Sequence, residues 1–213
     1  MPIVGNVRIT PIPFTYIHLT PITPHTDISA QSHVQFSDMS PETCHWYAMK
    51  VFHNKAFKIE AEISSQLKLE CYVPREKVVV ENSDGKRVCK IRPAVAGLLF
   101  LKTSSGVLKT VKELTNGVAM FYPAPDGTPA IIPEKEMAMF RLVTSAEDQG
   151  LEYLSDSGAN YTVGQKVRVL EGPFAGAEGN ICRIKGNRRL VVSIHGICAV
   201  ATSYIPACFL EKI

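Results

Sequence analysis

The residue types that could support catalysis or metal binding are scattered along this sequence. Beyond residue 43 the histidines are His45, His53 and His195, and none lies within a few positions of another histidine or a metal-ligand pair. The six cysteines are at least ten positions apart, which excludes the CxxC pairs of zinc ribbons and thioredoxin-like redox motifs. The sequence also lacks phosphate-binding loops, dinucleotide-binding glycine motifs and hydrolase motifs. We therefore expect a binding module rather than an enzyme, with no metal ion and no cofactor.

Charge divides the 213-residue chain into blocks that its net charge of +3 conceals. Residues 43–145 carry 15 basic and 10 acidic side chains, and residues 161–213 carry seven and three. Residues 146–160 between them carry four acidic side chains and no basic one. Two basic blocks joined by an acidic segment suggest, on charge alone, a nucleic-acid partner.

The N-terminal segment, residues 1–43, differs in composition from the rest. It contains six of the 14 prolines, a spacing that excludes a helix and favours an extended or disordered extension. Apolar runs throughout the chain are far shorter than the ~18–20 residues of a membrane helix. We expect no membrane association, no signal peptide and a cytoplasmic location with reduced thiols.

Periodicity predicts an α+β domain over residues 44–145. The predicted order is β-α-β-β-α-β followed by a further helix, with Asp84-Gly85 as a hairpin turn, which gives an antiparallel sheet with flanking helices. The predicted elements are a strand over 46–52, a helix over 54–69, a strand over 71–81, a strand over 87–102 interrupted by Pro93 and Gly97, a helix over 107–114, a strand over 118–122 and a helix after Pro133.

The remaining sequence predicts a linker and a second domain. Residues 146–160 are acidic, contain serine and glycine and show no periodicity, so they are predicted to form a linker. Residues 161–213 contain short apolar strands separated by glycine turns, which predicts a small all-β barrel. The predicted strands are Lys166–Leu170, Asn180–Ile184, Leu190–Ile194 and Ile197–Thr202.

Residues 163–179, V-G-Q-K-V-R-V-L-E-G-P-F-A-G-A-E-G, form the most informative segment. This long, nearly gapless pattern resembles the KOW motif, which occurs in ribosomal proteins and in NusG-type transcription factors. The resemblance assigns the motif positions to Gly172, Pro173, Phe174, Gly176 and Gly179. The basic turn K-G-N-R-R (185–189) adds Arg188 and Arg189 as partner-binding positions, suited to contact with phosphate or with an acidic protein patch. The motif alone leaves a ribosomal RNA binder and a transcription factor as alternatives.

The preceding domain resembles the N-terminal (NGN) domain of the NusG family. The similar segments are W-Y-A-M-K-V-F (46–52), C-Y-V-P-R-E (71–76), R-P-A-V-A-G-L-L-F (92–100), G-V-A-M-F (117–121) and T-P-A-I-I-P (128–133). The resemblance covers residues 45–213 and implies an NGN-like antiparallel sheet with flanking helices followed by a small SH3-like KOW barrel. The sequence departs from the family pattern at Ala96 and Leu98, on the strand that helps form the polymerase-facing surface. The sequence of residues 128–133 and the presence of an N-terminal extension resemble those of the specialised RfaH-like and UpxY-type antiterminators.

The resemblance implies a monomeric transcription elongation or antitermination factor that docks on the clamp helices of RNA polymerase. The docking residues that it implies are Tyr47, Val95, Leu98 and Phe121. It also implies proximity to upstream or non-template DNA, through Lys55, Lys58, Lys109 and Lys112. The C-terminal barrel would recruit termination factor Rho or a ribosomal protein and would keep its β form. The alternative is a ribosomal-type KOW protein that binds RNA as a structural component.

Overall fold

The N-terminal part of the folded chain is a five-stranded antiparallel sheet with helices on both faces. The computed structural model describes residues 43–146, 150–155, 164–194 and 196–213, so the predicted N-terminal extension and His195 lie outside the described residues. The sheet order is β2-β5-β1-β6, and β7 also pairs with β1. Its strands are β1 His45–Val51, β2 Glu70–Tyr72, β5 Leu98–Thr103, β6 Ala119–Phe121 and β7 Ile131–Ile132.

Three helices cover this sheet, and their apolar residues recur at helical spacing. The helices are α1 Ala56–Gln66, α2 Leu108–Thr115 and α3 Glu134–Ser145. Helix α1 buries Ala56, Ile59 and Ile63, and α2 buries Val111, in a cluster on one sheet face. Helix α3 buries Met137, Phe140 and Val143 in a second cluster on the other face. The three predicted helices are confirmed.

A two-stranded ribbon, β3 Arg75–Glu81 and β4 Arg87–Pro93, forms a separate sheet. The single predicted strand 71–81 is thus wrong, because the chain leaves the main sheet after Tyr72 and starts the ribbon after Pro74. The hairpin turn lies at the predicted position, Asp84-Gly85. Asn82 N–H donates to Lys86 O and Gly85 N–H to Asn82 O, which closes a three-residue loop, and of the loop residues only Gly85 has positive φ, +70°. This is a turn that ends in one left-handed glycine.

The C-terminal part is a six-stranded antiparallel sheet. Its order is β13-β9-β10-β11-β12-β8. The strands are β8 Glu152–Ser155, β9 Gln165–Val169, β10 Glu178–Ile184, β11 Asn187–Ile194, β12 Cys198–Ala201 and β13 Leu210–Lys212. Strand β8 falls within the predicted linker, so the expectation of irregular structure is wrong for these four residues, which hydrogen-bond to β12. The mixed helix-and-strand class is confirmed.

The two sheets share one apolar cluster. It contains Trp46, Leu98 and Phe100 from the N-terminal sheet, α3, and residues of the C-terminal sheet such as Leu190 and Val200. Helix α3 packs directly against β11 and β12. The described residues belong to one compact unit, Ser40–Ile213.

Candidate protein-binding surface

Strand pleating sends three of the four predicted docking residues, Tyr47, Leu98 and Phe121, to two opposite faces of the N-terminal sheet. Phe121 pairs with Met49 and Leu98 pairs with Lys50, so the two pairs lie at consecutive positions of β1. Consecutive strand residues point to opposite faces. Tyr47 and Phe121 consequently belong to the α1/α2 cluster, whereas Leu98 belongs to the α3 cluster.

The aromatic pair on the α1/α2 face is buried. Tyr47 is 2% exposed and Phe121 7%, and their rings pack edge to face with centroids 6.0 Å apart. Burial, and secondarily the neighbouring Cys44, raises the pKa of Tyr47 above its usual range. The Lys112 ammonium lies 5.9 Å from the Phe121 ring centroid, within reach of a cation–π contact. Phe121 is therefore a core residue that shows one edge to the surface.

A cleft opens at this edge, between β6 and the segment 123–129. It has a volume of about 320 Å³. The lining residues on its apolar side are Ala119, Met120, Phe121, Pro123 and Pro129, and Lys112 also lines it. Met120 is 53% exposed although it lies on a paired strand. An aromatic floor with an exposed apolar wall is suited to an apolar side chain from a partner.

The second half of the predicted docking set lies under α3. Leu98 is 1% exposed, and Val95 is half-buried against the same cluster. Their neighbours include Phe140, whose ring meets Phe100 at 5.5 Å between centroids. Neither side chain shares a surface with Phe121, so the four residues do not form a single depression, and the polymerase role of each stays a prediction.

Sequence reasoning missed the contact that α3 makes with the C-terminal sheet. The Glu178 backbone N–H donates to the Met139 sulfur at 3.3 Å, and the Glu178 carboxylate lies 2.7 Å from Lys135. Arg168 donates to the same carboxylate at 2.8 Å. These hydrogen bonds, that from Lys135 first, lower the pKa of Glu178 to about 2. The sequence of α3 contains a signal for this contact. Met139 and Leu142 give the helix a second apolar side in addition to the side formed by Met137 and Phe140.

The four predicted DNA-facing lysines all lie in the α1/α2 layer. Lys58 pairs with Glu62 at 3.6 Å and Lys109 with Glu113 at 3.9 Å, one helical turn apart in each case. Exposed pairs of this kind are typical of a solvated helix surface. The helices bring the lysines to one side of the molecule, and the DNA contact stays a prediction.

Most of the predicted KOW positions have a structural role in the C-terminal sheet. Gly172 and Gly176 have φ of +87° and +86° around the turn that buries Phe174. A Cβ atom on Gly179 would lie 2.4 Å from the Val191 carbonyl oxygen, so this close strand approach requires glycine. Arg188 is exposed, and Arg189 donates to Glu152.

The described residues contain neither a metal-binding constellation nor a membrane-length helix. Among them, no three His, Cys, Asp or Glu side chains come close enough together to hold a metal ion. No described helix is both long and apolar enough to cross a bilayer.

Comparison with known proteins gives a family match for the N-terminal part of the chain. The sequence model of the NusG family, described as transcription termination factor nusG, matches residues 44–141. This segment is NusG-like. Members of that family are transcription factors rather than enzymes. The matched segment spans β1 to most of α3, and therefore contains both the Phe121 cleft and the α3 contact.

Among solved structures, the chain is similar to Thermotoga maritima NusG, described for its domain interaction. The two are 16% identical with a TM-score of 0.44, over 80% of this chain and 98% of that chain. The comparison with curated proteins gives no match.

Proposed function

We propose that this protein is a NusG-type transcription elongation and antitermination factor that binds RNA polymerase through its N-terminal domain. The observation that carries the proposal is the family match over residues 44–141, which covers the complete five-stranded sheet. Such a factor works by binding, because it favours the processive state of the enzyme over paused states.

The proposed docking surface is the cleft at Phe121. Phe121 supplies the aromatic floor, Tyr47 supports it from behind, and Met120 presents an exposed apolar side chain. Lys112 adds a positive charge at the same cleft. Clamp helices of the polymerase would place an apolar side chain in this cleft, with Val95 and Leu98 supporting the opposite face of the sheet.

The finer assignments rest on sequence resemblance. The N-terminal extension and residues 128–133 support an operon-specific RfaH- or UpxY-like role. The α1/α2 lysines support proximity to upstream or non-template DNA, and Lys55 and Lys112 have no acidic partner among the described residues. The KOW-like segment supports recruitment of Rho or a ribosomal protein by the C-terminal sheet.

A reconstituted transcription assay tests the proposal. Purified RNA polymerase transcribes a template with a pause and a terminator, with and without the full chain. We expect shorter pauses and more transcripts that extend past the terminator. A chain that binds polymerase but leaves both quantities unchanged contradicts the elongation role. A chain that does not bind contradicts the whole proposal.

A further inference from the structure

The β10–β11 hairpin places two arginines directly opposite each other. Arg183 pairs with Arg188 across the hairpin, and a single residue pair separates them from the turn. This two-residue turn consists of Lys185 and Gly186, whose φ angles are +49° and +83°. Both arginines are exposed. Like charges directly opposite on neighbouring strands destabilise a sheet, so this arrangement calls for an anionic counterpart.

The neighbouring cations, Lys185 and Arg189, already have an anionic counterpart. Lys185 and Arg189 both donate to Glu152 of β8, at 2.6 Å and 3.0 Å. Within the part of the chain that the structure describes, Arg183 and Arg188 have no ion pair and no side-chain hydrogen bond. Their planar guanidinium groups can together offer several N–H donors to a phosphate, which guanidinium binds in bidentate fashion.

An exposed aromatic ring lies at the same end of the sheet. The Thr202 N–H donates to the Leu190 carbonyl at 2.9 Å, and Arg188 and Tyr204 each lie two residues beyond that bond. Tyr204 is 70% exposed, whereas the following Ile205 is 8% exposed and fixes the chain beside it. An exposed tyrosine at the same end of the sheet as two arginines without ion pairs offers a stacking surface for a base together with donors for the phosphate backbone.

We propose that this end of the C-terminal sheet binds single-stranded nucleic acid. Arg183 and Arg188 bind phosphate groups, and Tyr204 stacks on a base. The exposed ring favours nucleic acid over an acidic peptide, which would use the charges alone. Residues 161–213 carry seven basic and three acidic side chains, which adds long-range attraction. The site is separate from the Phe121 cleft and does not depend on polymerase binding.

Fluorescence anisotropy with the full chain tests this site. The probes are labelled oligouridine and oligothymidine of about 12 nucleotides, within the usual site sizes. We expect Arg183→Gln/Arg188→Gln to weaken binding at least about tenfold and to lower the slope of log K against log salt by about 1.4, since two phosphate contacts are lost. We expect Tyr204→Ala to weaken binding about tenfold without changing the slope. The matched control, Lys166→Gln/Lys212→Gln, removes two exposed charges from β9 and β13 and should retain most of the affinity.

Each outcome decides the proposal. Preference for the RNA or the DNA probe, or equal binding to both, supports it and identifies the source of the strand. Arg183→Lys/Arg188→Lys should keep the salt slope, which separates loss of charge from loss of fold. The proposal is overturned if neither probe binds, if the glutamine double variant keeps the wild-type affinity and slope, if the control loses as much, or if only a polyglutamate peptide binds.

Discussion

The two faces of the N-terminal sheet are built differently. On the α1/α2 face, Tyr47, Met49, Ile63 and Phe121 form a cluster that uses only residues of the N-terminal domain. On the α3 face, Trp46 and Phe100 belong to a cluster that continues into the C-terminal sheet. The α1/α2 face is therefore completed locally, by residues of the N-terminal domain alone. The α3 face, by contrast, shares its apolar cluster with the C-terminal sheet. The proposed polymerase cleft opens beside the locally completed face, where binding does not require the C-terminal sheet to move.

The largest expected effect comes from truncating a residue of the shared cluster. Phe140 is fully buried and packs on Phe100, so Phe140→Ala should lower the free energy of unfolding by about 3–5 kcal/mol. We also expect amide exchange to accelerate in both sheets, because α3 supports both. Denaturant titration and hydrogen exchange provide the measurements.

The matched control is Ile63→Ala, which truncates a fully buried residue of the α1/α2 cluster. Its loss should be about 2–5 kcal/mol, with faster exchange confined to the N-terminal sheet. If Phe140→Ala left the exchange of the C-terminal sheet unchanged, the distinction between the two faces would be lost.

A smaller effect is expected at the hydrogen bond between Tyr72 of β2 and Thr144 of α3. The two hydroxyl oxygens are 2.5 Å apart, and Thr144 also donates to the Phe140 carbonyl at 2.7 Å. Tyr72→Phe removes one hydroxyl and should cost about 1 kcal/mol, measured by thermal or denaturant unfolding. Thr144→Val, which also removes the helix contact, should cost more. Equal stability of Tyr72→Phe and wild type would show that this bond does not hold α3 on the sheet.

The smallest effect concerns the charge pair between α3 and β10. The pKa of Glu178 is about 2 in the folded chain against an ordinary value of 4.5. Its stabilising contribution is therefore fully present above a pH of about 4.5 and is lost as the pH falls to about 2. Glu178→Gln should flatten this part of the stability–pH curve, whereas Glu171→Gln, an exposed acid of the same domain, should not. Parallel curves for Glu178→Gln and wild type would contradict this assignment.

The sequence predicted much of the fold, because periodicity and turn residues are local signals. It placed the three helices and the hairpin turn at Gly85. It missed strand β8 because Glu152–Ser155 is short, and its pairing with β12 depends on residues more than 40 positions away. It also grouped Tyr47 and Phe121 with Leu98, because similarity to a family motif identifies a strand but not the face on which each side chain lies. The contact between Glu178 and α3 depends on tertiary packing, which no local pattern contains.

The central claim is that the Phe121 cleft binds RNA polymerase, and an affinity measurement on the full chain tests it most directly. Met120→Glu places a charge in the cleft at an exposed position, so the fold should be retained, and Leu170→Glu is the matched control on the C-terminal part, where Leu170 is 52% exposed. We predict that Met120→Glu weakens binding to immobilised polymerase at least about tenfold and that Leu170→Glu binds like wild type. Wild-type affinity of a correctly folded Met120→Glu chain would contradict the account.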